Sequence, residues 1–334
     1  LARSEVALDD PRKKKISTFC NVVAEDVISA PDVESIYDVP LNFEQEHLAK
    51  RILNKFNIRD GKVDLKDWRN LTSYATNAKR SVRIGIVGKY FETGGFVLAD
   101  SYISVIQAVK HAAWFYKRKP EISWLNSERY EKNPATLNEL KEYDGIIVPG
   151  GFGSRGIEGK IKAIQYVREK KIPYLGLCYG MQLAVIEYAR NVLGIKGAQT
   201  AEIDSDAEHL IVDIMPEQKK LLAKDQYGAT MRLGTYPARL KEGTIAYREY
   251  GVDKIDERHR HRYEINPKYI DRLEKGGLIF SGTSPNKKLM EIAELPRSEH
   301  PFFLGTQFHP EFKARPLFPH PLFTAFIKAS IQSK

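Results

Sequence analysis

The sequence predicts an α/β fold in which a mostly parallel sheet is covered by helices on both faces. Three short segments rich in aliphatic residues, at residues 82–88, 145–149 and 172–175, have the composition of buried strands. Helical patterns at residues 157–170 and 181–190 follow the second and third of these segments. Short apolar strands that alternate with helices are typical of a parallel sheet with both faces buried.

The composition is that of a folded protein with an affinity for anions. Of the 334 residues, 42% are hydrophobic and 28% are charged, a balance that argues against a disordered or fibrous chain. The 52 lysines and arginines outnumber the 43 aspartates and glutamates, so the net charge is +9. This charge suits nucleotides, and it would also suit nucleic acid.

Cysteine usage indicates a reducing compartment. The two cysteines, Cys20 and Cys178, are too few for a disulfide framework, so we predict a cytoplasmic protein. No apolar run approaches the ~18 residues of a membrane span, and the residues after Leu1 lack a signal-peptide pattern. We therefore expect no membrane partner. The sequence leaves open whether Leu1 is a processed end, a cloning boundary or the start of a partial gene.

The first part of the chain differs in character from the rest. An apolar segment at residues 16–23 predicts a buried strand, and helical patterns follow at residues 43–56 and 65–74. A segment of this size buries too small a core to fold alone, so we expect the tail of a larger domain. The predicted domains are residues 1–76 and residues 77–334.

The second domain is predicted to change character along its length. Asp100 is a natural N-cap for a helix over residues 100–116. Residues 208–308 have the pattern of antiparallel strands and loops. Antiparallel strands should therefore follow the parallel strands along the chain.

The segment GLCYG at residues 176–180 has the form of a nucleophile elbow with cysteine in place of serine. Its glycines let the chain reverse sharply between a predicted strand and a predicted helix. This geometry places the Cys178 sulfur at a helix N-terminus, where the macrodipole favours the thiolate. A thiolate attacks carbonyl carbon, so we predict a nucleophile. The alternative is a buried structural cysteine, the role that we expect for Cys20.

A base and an orienting group for this nucleophile follow a strand predicted at residues 303–308. His309 comes next, and Glu311 lies two residues later, on the same side of an extended chain. The carboxylate can then hold the imidazole, which completes a Cys-His-Glu triad. His259 and His261 lie in an arginine-rich stretch that is either a binding element or a solvated charged loop.

Donors for a developing oxyanion are predicted at two backbone positions. One is the N–H of Tyr179, which follows the nucleophile, and the other is the N–H of Gly151 in the PGGFG segment. Adjacent parallel strands would bring both loops to one edge of the sheet. The glycine-rich segment could instead be a phosphate loop, but it lacks the G-x-x-x-x-G-K-[ST] and G-x-G-x-x-G spacings.

The segments PGGFG, GLCYGMQ and QFHPE, in this order and spacing, resemble the class I glutamine amidotransferases. More narrowly, KISTFCNV, VESIYDVPL, GKY, DSYISVIQAVKHA, TMRLG and ERHRHRYEIN resemble segments of the CTP synthase family. The resemblance runs from about Lys15 to the final helix. It implies a flavodoxin-like glutamine amidotransferase domain, preceded by the tail of a P-loop-type synthetase domain.

The resemblance implies roles for individual residues of the second domain. Cys178 would be the nucleophile, His309 the base and later the acid, and Glu311 the residue that orients the imidazole. Glu202 would face the ammonium group of glutamine and Arg262 its carboxylate. Further contacts to glutamine and to the oxyanion would come from Gly151, Tyr179, Gly180, Met181 and Gln182.

The resemblance also implies nucleotide contacts. Phe152 and Arg232 would contact GTP, the allosteric activator, and Lys15 would contact UTP or CTP. Asp32 and Val33 would lie beside the ATP adenine, next to a proline where the family commonly has lysine. The TGGFVLA stretch at residues 93–99 lengthens the connection that the family usually has between the GKY and DSY segments, and we predict a surface loop there.

The reaction implied for the intact enzyme converts UTP, ATP and glutamine into CTP, ADP, phosphate and glutamate. The glutaminase half needs no cofactor or metal, whereas the synthetase half uses ATP and Mg²⁺, whose sites would lie mostly upstream of Leu1. The resemblance further implies product inhibition by CTP and a homotetramer. No recognised nucleic-acid-binding motif or aromatic-interleaved basic stripe accompanies the net charge, so we expect no nucleic-acid partner.

Two other functions are considered. A stand-alone cysteine hydrolase, such as a peptidase or a γ-glutamyl hydrolase, would share the triad, but the RHRHRYE segment and the synthetase tail argue against it. A non-catalytic nucleotide-sensing or assembly module would suit the net charge, but it would not need a complete triad.

Overall fold

The computed structural model describes residues 1–88, 102–214 and 231–333. Its contacts divide the chain into two compact units, Leu1–Ala78 and Lys79–Lys334. The predicted N-cap at Asp100 and the predicted surface loop at residues 93–99 lie outside the described residues. Within the described ranges, no helix combines the length and the apolar character needed to cross a bilayer.

The first unit pairs two short parallel strands, β1 (Ala2–Ser4) and β2 (Ser29–Pro31). Its helices are α1 (Asp10–Cys20), α2 (Val39–Gln45), α3 (Leu48–Lys55) and α4 (Lys66–Asn77). A small core forms where Tyr37 and Leu71 are buried, and Trp68 Nε1 donates to the Tyr37 carbonyl at 2.7 Å. The helix predicted over residues 65–74 is confirmed as α4.

The strand predicted over residues 16–23 is wrong, because this segment belongs mostly to α1. The Asp9 side chain accepts from the Arg12 N–H, and a proline occupies the first turn, two features that begin helices. All of α1 lies within the described residues, none of its side chains is buried, and Cys20 is exposed. The buried structural role expected for Cys20 is therefore wrong as well. The long helix predicted over residues 43–56 is divided at His47, whose φ is 54°.

The second unit contains twelve strands and seven α-helices within its described residues. The strands are β3 (Ser81–Gly88), β4 (Lys119–Asn126), β5 (Gly145–Val148), β6 (Tyr174–Leu177), β7 (Ala198–Thr200), β8 (His209–Ile214), β9 (Arg232–Leu240), β10 (Lys254–His261), β11 (Tyr263–Ile265), β12 (Ile279–Thr283), β13 (Met290–Glu294) and β14 (Phe303–Thr306). The helices are α5 (Ile103–Phe115), α6 (Ser127–Lys132), α7 (Ile157–Glu169), α8 (Tyr179–Asn191), α9 (Ile245–Tyr250), α10 (Pro267–Lys275) and α11 (Pro321–Gln332).

Nine of these strands form one sheet in the order β10-β9-β12-β13-β14-β6-β5-β3-β4. The strands from β14 to β4 pair in parallel, whereas those from β10 to β14 pair antiparallel. Numbered along the chain, the parallel strands have the order 2-1-3-4-5, which is the flavodoxin-like arrangement. The predicted parallel sheet is confirmed, and so are antiparallel strands in the later part of the chain, although β14 in that range pairs in parallel with β6. A separate sheet has the order β11-β8-β7.

Helices cover both faces of the large sheet. On one face, Ile161 and Ile164 of α7 and Val185 of α8 belong to a single buried cluster. On the other face, Val109 of α5 and Phe326 of α11 belong to a second buried cluster. Each fully buried side chain of this kind contributes about 1.5–3 kcal/mol. The sheet is therefore a rigid support for the loops at its edges.

Candidate active site

Three neighbouring strands end at the same edge of the parallel sheet, and each is followed by a predicted site residue. The strand β5 leads to Gly150 and Gly151, β6 leads directly to Cys178, and β14 leads through a short link to His309. Because β5 pairs with β6 and β6 pairs with β14, both in parallel, their carboxyl ends lie side by side. Open α/β sheets bind ligands at such an edge. The predicted meeting of the two loops is confirmed.

Cys178 lies in a strained turn between β6 and α8. Its φ of 50° and ψ of −98° fall in a region that residues other than glycine rarely adopt. A Cβ at Gly176 would lie 2.8 Å from the Gly180 carbonyl carbon, and one at Gly180 would lie 2.1 Å from the Val148 oxygen. Both glycines are therefore required sterically. The Cys178 N–H donates to the Thr306 carbonyl at 2.6 Å, which ties the turn to β14.

The glycine loop after β5 closes over the cysteine and the histidine. A Cβ at Gly150 would lie 3.0 Å from His309 Cε1 and 3.7 Å from Cys178 Cβ. A Cβ at Gly151 would lie 3.9 Å from the Tyr179 ring. A side chain at Gly150 would therefore crowd the imidazole of His309.

His309 and Glu311 are in contact, as predicted, but not through an extended chain. The residues Pro310–Phe312 form a single 3₁₀ turn, which brings Glu311 Oε1 to 2.8 Å from His309 Nδ1. Phe312 stacks on the imidazole with ring centroids 5.0 Å apart. Among the described residues, His309 Nε2 makes no hydrogen bond of normal length, although the imidazole interacts with Cys178. This nitrogen is therefore available to exchange a proton.

The electrostatic surroundings of His309 favour the imidazolium. Burial by itself lowers the pKa of this imidazole, because it disfavours the charged form. Interactions with Cys178 and Glu311 outweigh the burial and raise the pKa of His309 to about 10. A buried cation beside Cys178 is the environment in which a cysteine reacts as a thiolate.

The predicted oxyanion donor Tyr179 is the first residue of α8, where backbone N–H groups have no acceptor within the helix. Its side chain is buried, and its hydroxyl contacts the Gly153 carbonyl at 3.4 Å. Burial, with the nearby Glu202 carboxylate, raises the pKa of Tyr179. Met181 is buried against Gly305 of β14, so its side chain packs in the core.

Glu202 and Arg262 are the residues predicted to bind the two charged groups of glutamine. Glu202 Oε1 accepts from the Gly153 N–H at 2.8 Å, which places it beside the glycine loop. Burial raises the pKa of Tyr263, with the Glu202 charge raising it further and Arg262 lowering it. Both charges therefore act on the same phenol.

A pair of buried glutamines adjoins the cysteine. Gln307 Nε2 lies 3.7 Å from Cys178 Sγ, and Gln182 Nε2 donates to Gln307 Oε1 at 3.1 Å and to the Tyr263 carbonyl at 3.0 Å. Gln182 is predicted from the sequence to bind glutamine, whereas no role is predicted there for Gln307. The signal was available, since Gln307 is the first residue of the QFHPE segment.

The arginine-rich stretch is a strand rather than a solvated loop. Along β10 the buried and exposed residues alternate, which places His259 and His261 inside, with their Nδ1 and Nε2 atoms 2.9 Å apart. Burial lowers the pKa of His259 to about 3, and it lowers the pKa of His261 as well. The solvated-loop alternative is therefore wrong for these two residues.

Arg232, predicted to contact GTP, is held in a buried ion-pair cluster. Its guanidinium lies 3.1 Å from Glu264 and 2.9 Å from Glu291, and it covers the Tyr236 ring at 4.7 Å. Burial raises the pKa of Glu264 to about 8. The nearby Arg232 lowers this pKa and the Glu291 carboxylate raises it, since the two carboxylates share one arginine. No pattern in the sequence indicates this cluster.

The remaining predicted nucleotide contacts lie at the surface or in the first unit. Phe152 is 70% exposed, as a stacking platform would be. Lys15 is exposed on α1, and Val33 is half-buried. Asp32 is exposed and pairs with Arg3 at 2.8 Å. Within the described ranges, no group of three or more His, Cys, Asp or Glu side chains is arranged to hold a metal ion.

Comparison with known proteins assigns this arrangement. A family model described as "Glutamine amidotransferase class-I" matches residues 97–329, and one described as "CTP synthase N-terminus" matches residues 1–58. A CTP synthase of Caldanaerobacter subterraneus is 50% identical over 100% of this chain and 60% of its own length. A CTP synthase of Pyrococcus furiosus is 48% identical over the same shares. The chain thus spans about 60% of the length of these curated relatives.

One solved structure matches closely as well. The Trypanosoma brucei CTPS glutaminase domain with bound acivicin superposes with a TM-score of 0.68 at 36% identity, covering 76% of this chain and 95% of that one. The fold and the residues at its carboxyl edge define a class I glutamine amidotransferase. Within that class, the chain belongs to the CTP synthase family.

Proposed function

We propose that this chain carries the glutaminase half of a CTP synthase and hydrolyses glutamine to glutamate and ammonia through a thioester on Cys178. The observation that carries the proposal is the arrangement at the sheet edge. A strained cysteine at a helix N-terminus lies beside a histidine whose other nitrogen is held by a buried glutamate at 2.8 Å. These are the parts that nucleophilic catalysis at a carbonyl requires.

In the first half of the reaction, the Cys178 thiolate attacks the side-chain amide carbon of glutamine. A C–S bond forms, and the carbonyl oxygen takes up the negative charge. Collapse of this intermediate breaks the C–N bond, and His309 gives its Nε2 proton to the leaving nitrogen, which departs as ammonia. The raised pKa of His309, about 10, keeps that proton available near neutral pH.

In the second half, the neutral imidazole takes a proton from water as the water attacks the thioester. The C–S bond breaks, glutamate leaves, and the proton on His309 restores the starting state. Glu311 holds Nδ1 throughout, which fixes the ring and stabilises the imidazolium. The net change is glutamine plus water to glutamate plus ammonia.

Backbone donors and two charged side chains complete the site. The N–H groups of Tyr179 and Gly151 are proposed to bind the oxyanion, each contributing about 3 kcal/mol in the transition state. Glu202 is proposed to bind the substrate ammonium group and Arg262 its carboxylate. Opposite charges at a fixed separation select a free amino acid over a peptide.

For the intact enzyme, we propose that the released ammonia aminates UTP to CTP at the expense of ATP. Lys15, Asp32 and Val33 would supply part of the UTP and ATP sites, and Phe152 with Arg232 would respond to GTP. Within the described residues, no group of three or more His, Cys, Asp or Glu side chains is arranged to hold Mg²⁺. Inhibition by CTP, a homotetramer and a cytoplasmic location are part of the same proposal.

The test is ammonia release from glutamine, with and without GTP, by the wild-type chain and by Cys178→Ser. We expect release that GTP increases and that Cys178→Ser reduces by roughly 10³-fold or more. Cys20→Ser is the matched control, since Cys20 is exposed in the other unit, and it should keep wild-type activity. Equal activity in Cys178→Ser and wild type would contradict the proposed nucleophile.

A longer chain that includes the remaining synthetase residues provides the second half of the test. In that protein, Cys178→Ser should abolish CTP synthesis from glutamine and leave synthesis from added ammonia intact. Steady turnover of γ-glutamyl peptides without turnover of free glutamine would instead favour a stand-alone hydrolase.

A further inference from the structure

Two polar side chains lie next to the Cys178 sulfur: Gln307 through a hydrogen-bonding contact and His309 through a charge interaction. Gln307 has no exposed surface, and its Nε2 lies 3.7 Å from Sγ, within the range for a hydrogen bond to sulfur. A primary amide in this position directs either its NH₂ group or its oxygen toward the sulfur, and only the NH₂ group can donate a hydrogen bond. The surrounding hydrogen bonds decide which.

The orientation of the Gln307 amide follows from a backbone carbonyl. The Tyr263 carbonyl can only accept, so the Gln182 group facing it at 3.0 Å must be the NH₂. The second hydrogen of that NH₂ is then directed to the Gln307 side chain at 3.1 Å, which must present its oxygen. The NH₂ of Gln307 consequently faces Cys178 Sγ.

The backbone on both sides of this contact is fixed. The Gln307 N–H donates to the Glu291 carbonyl of β13 at 2.8 Å, and the Cys178 N–H donates to the Thr306 carbonyl at 2.6 Å. Donor and sulfur are thus held by adjacent strands. Little conformational entropy remains to be lost when the hydrogen bond forms.

We propose that Gln307 is a catalytic residue that donates a hydrogen bond to the Cys178 thiolate and, oriented by Gln182, holds the sulfur in position for attack. This inference rests on the proposed function. A neutral donor to an anion stabilises the thiolate over the thiol, and it does so without competing for the proton that His309 must deliver.

Other ionisable groups also act on this region and set the background of any titration. Next to Cys178 these groups are His309 and Glu311, whose carboxylate contacts the imidazole. Beyond Gln307 lies the buried cluster of Arg232, Glu264, Glu291, His259 and His261, whose histidines are within electrostatic range of His309. A test of Gln307 must therefore leave all of these groups in place.

The experiment measures the rate of Cys178 alkylation by iodoacetamide from pH 5 to pH 10, in a Cys20→Ser background where Cys178 is the only thiol. Gln307→Met removes the donor at similar length, and we expect its half-maximal pH to rise by about one unit. Gln307→Glu replaces the donor by an acceptor of the same shape, and its half-maximal pH should rise further. For glutamine hydrolysis, Gln307→Met should lower kcat about tenfold, with KM changed by less than about twofold.

Tyr130→Phe is the matched control, because it removes a different buried hydrogen bond, from Tyr130 to Glu139, in the same unit. Its alkylation profile should superpose on that of wild type. A Gln307→Met protein that unfolds cooperatively yet shows the wild-type profile would overturn the proposal. If Gln307→Met does not fold, a wild-type alkylation profile in Gln307→Glu would overturn the proposal in the same way.

The alkylation profile also separates this inference from the proposed function. If the wild-type chain releases no ammonia from glutamine but the profile moves in Gln307→Met, the glutaminase proposal fails and the donor to sulfur remains. If glutamine is hydrolysed and the profile does not move, Gln307 alone loses its role.

Discussion

Replacing Glu264 by glutamine should stabilise the protein at alkaline pH. Glu264 and Glu291 share the single guanidinium of Arg232, at 3.1 and 2.9 Å, and Glu264 Oε2 is buried without a hydrogen-bond partner among the described residues. Burial therefore raises the pKa of Glu264 from 4.5 to about 8. In Glu264→Gln, the amide oxygen would keep the contact from Arg232, and the side chain would never carry the charge.

The sign follows from the protons that each state binds. Between pH 4.5 and pH 8, the folded state keeps a proton on Glu264 that the unfolded state has lost, so the free energy of unfolding falls as pH rises. Below pH 6.5 the buried neutral histidines, such as His259 with its pKa lowered to about 3, contribute the opposite slope. The window from pH 6.5 to pH 8 avoids them. From pH 6.5 to pH 8, the free energy of unfolding of wild type should fall by about 2 kcal/mol relative to that of Glu264→Gln.

The assay is urea unfolding of wild type and Glu264→Gln at several pH values in this window. The difference between the two proteins isolates Glu264, because the slope from His309, which titrates near pH 10, is common to both. Glu242→Gln is the control, because it removes an exposed carboxylate in the same unit. A Glu264→Gln difference that is flat with pH, or that shrinks as pH rises, would refute the reasoning.

Two further substitutions test the catalytic edge. Glu311→Gln should reduce kcat by roughly 10³-fold. It should also move the alkaline fall of the pH–rate profile to lower pH, because the carboxylate helps to raise the pKa of His309. An alkaline limb that does not move would contradict this role of the carboxylate. Gly180→Ala places a methyl group 2.1 Å from the Val148 oxygen and should destabilise the protein by about 3 kcal/mol in thermal unfolding. Gly61→Ala, where a Cβ meets nothing within 4 Å, should be neutral, and equal losses in both would contradict the steric argument.

The parts of the fold that the sequence predicts well are those specified by neighbouring residues. The parallel strands are continuous aliphatic segments, and the elbow at Cys178 is specified by five consecutive residues, two of them glycines that the geometry requires. The contact from His309 to Glu311 is predicted correctly as well, although its expected cause, an extended chain, is wrong. Proline after His309 starts a 3₁₀ turn, and the turn brings the carboxylate back to Nδ1.

The failures have two different physical causes. In α1, apolar residues suggested a buried strand, but the cap at Asp9 and the following proline decided the local structure, and the segment stays exposed. The cluster of Arg232, Glu264 and Glu291 could not be predicted from the sequence, for another reason. Its members come from three strands in two different sheets, separated by up to 59 residues, and only the tertiary fold brings their charges together.

The antiparallel half of the sheet also explains how a strained cysteine stays in place. The parallel half supplies the elbow, but the groups around it are anchored from the other side. The His309 N–H donates to the Arg258 carbonyl of β10 at 2.8 Å, and the Gln307 N–H donates to the Glu291 carbonyl of β13 at 2.8 Å. The Tyr263 carbonyl of β11, in the separate sheet, orients Gln182. Substitutions in β10, β11 and β13 should therefore alter the reactivity of a cysteine that none of these strands carries.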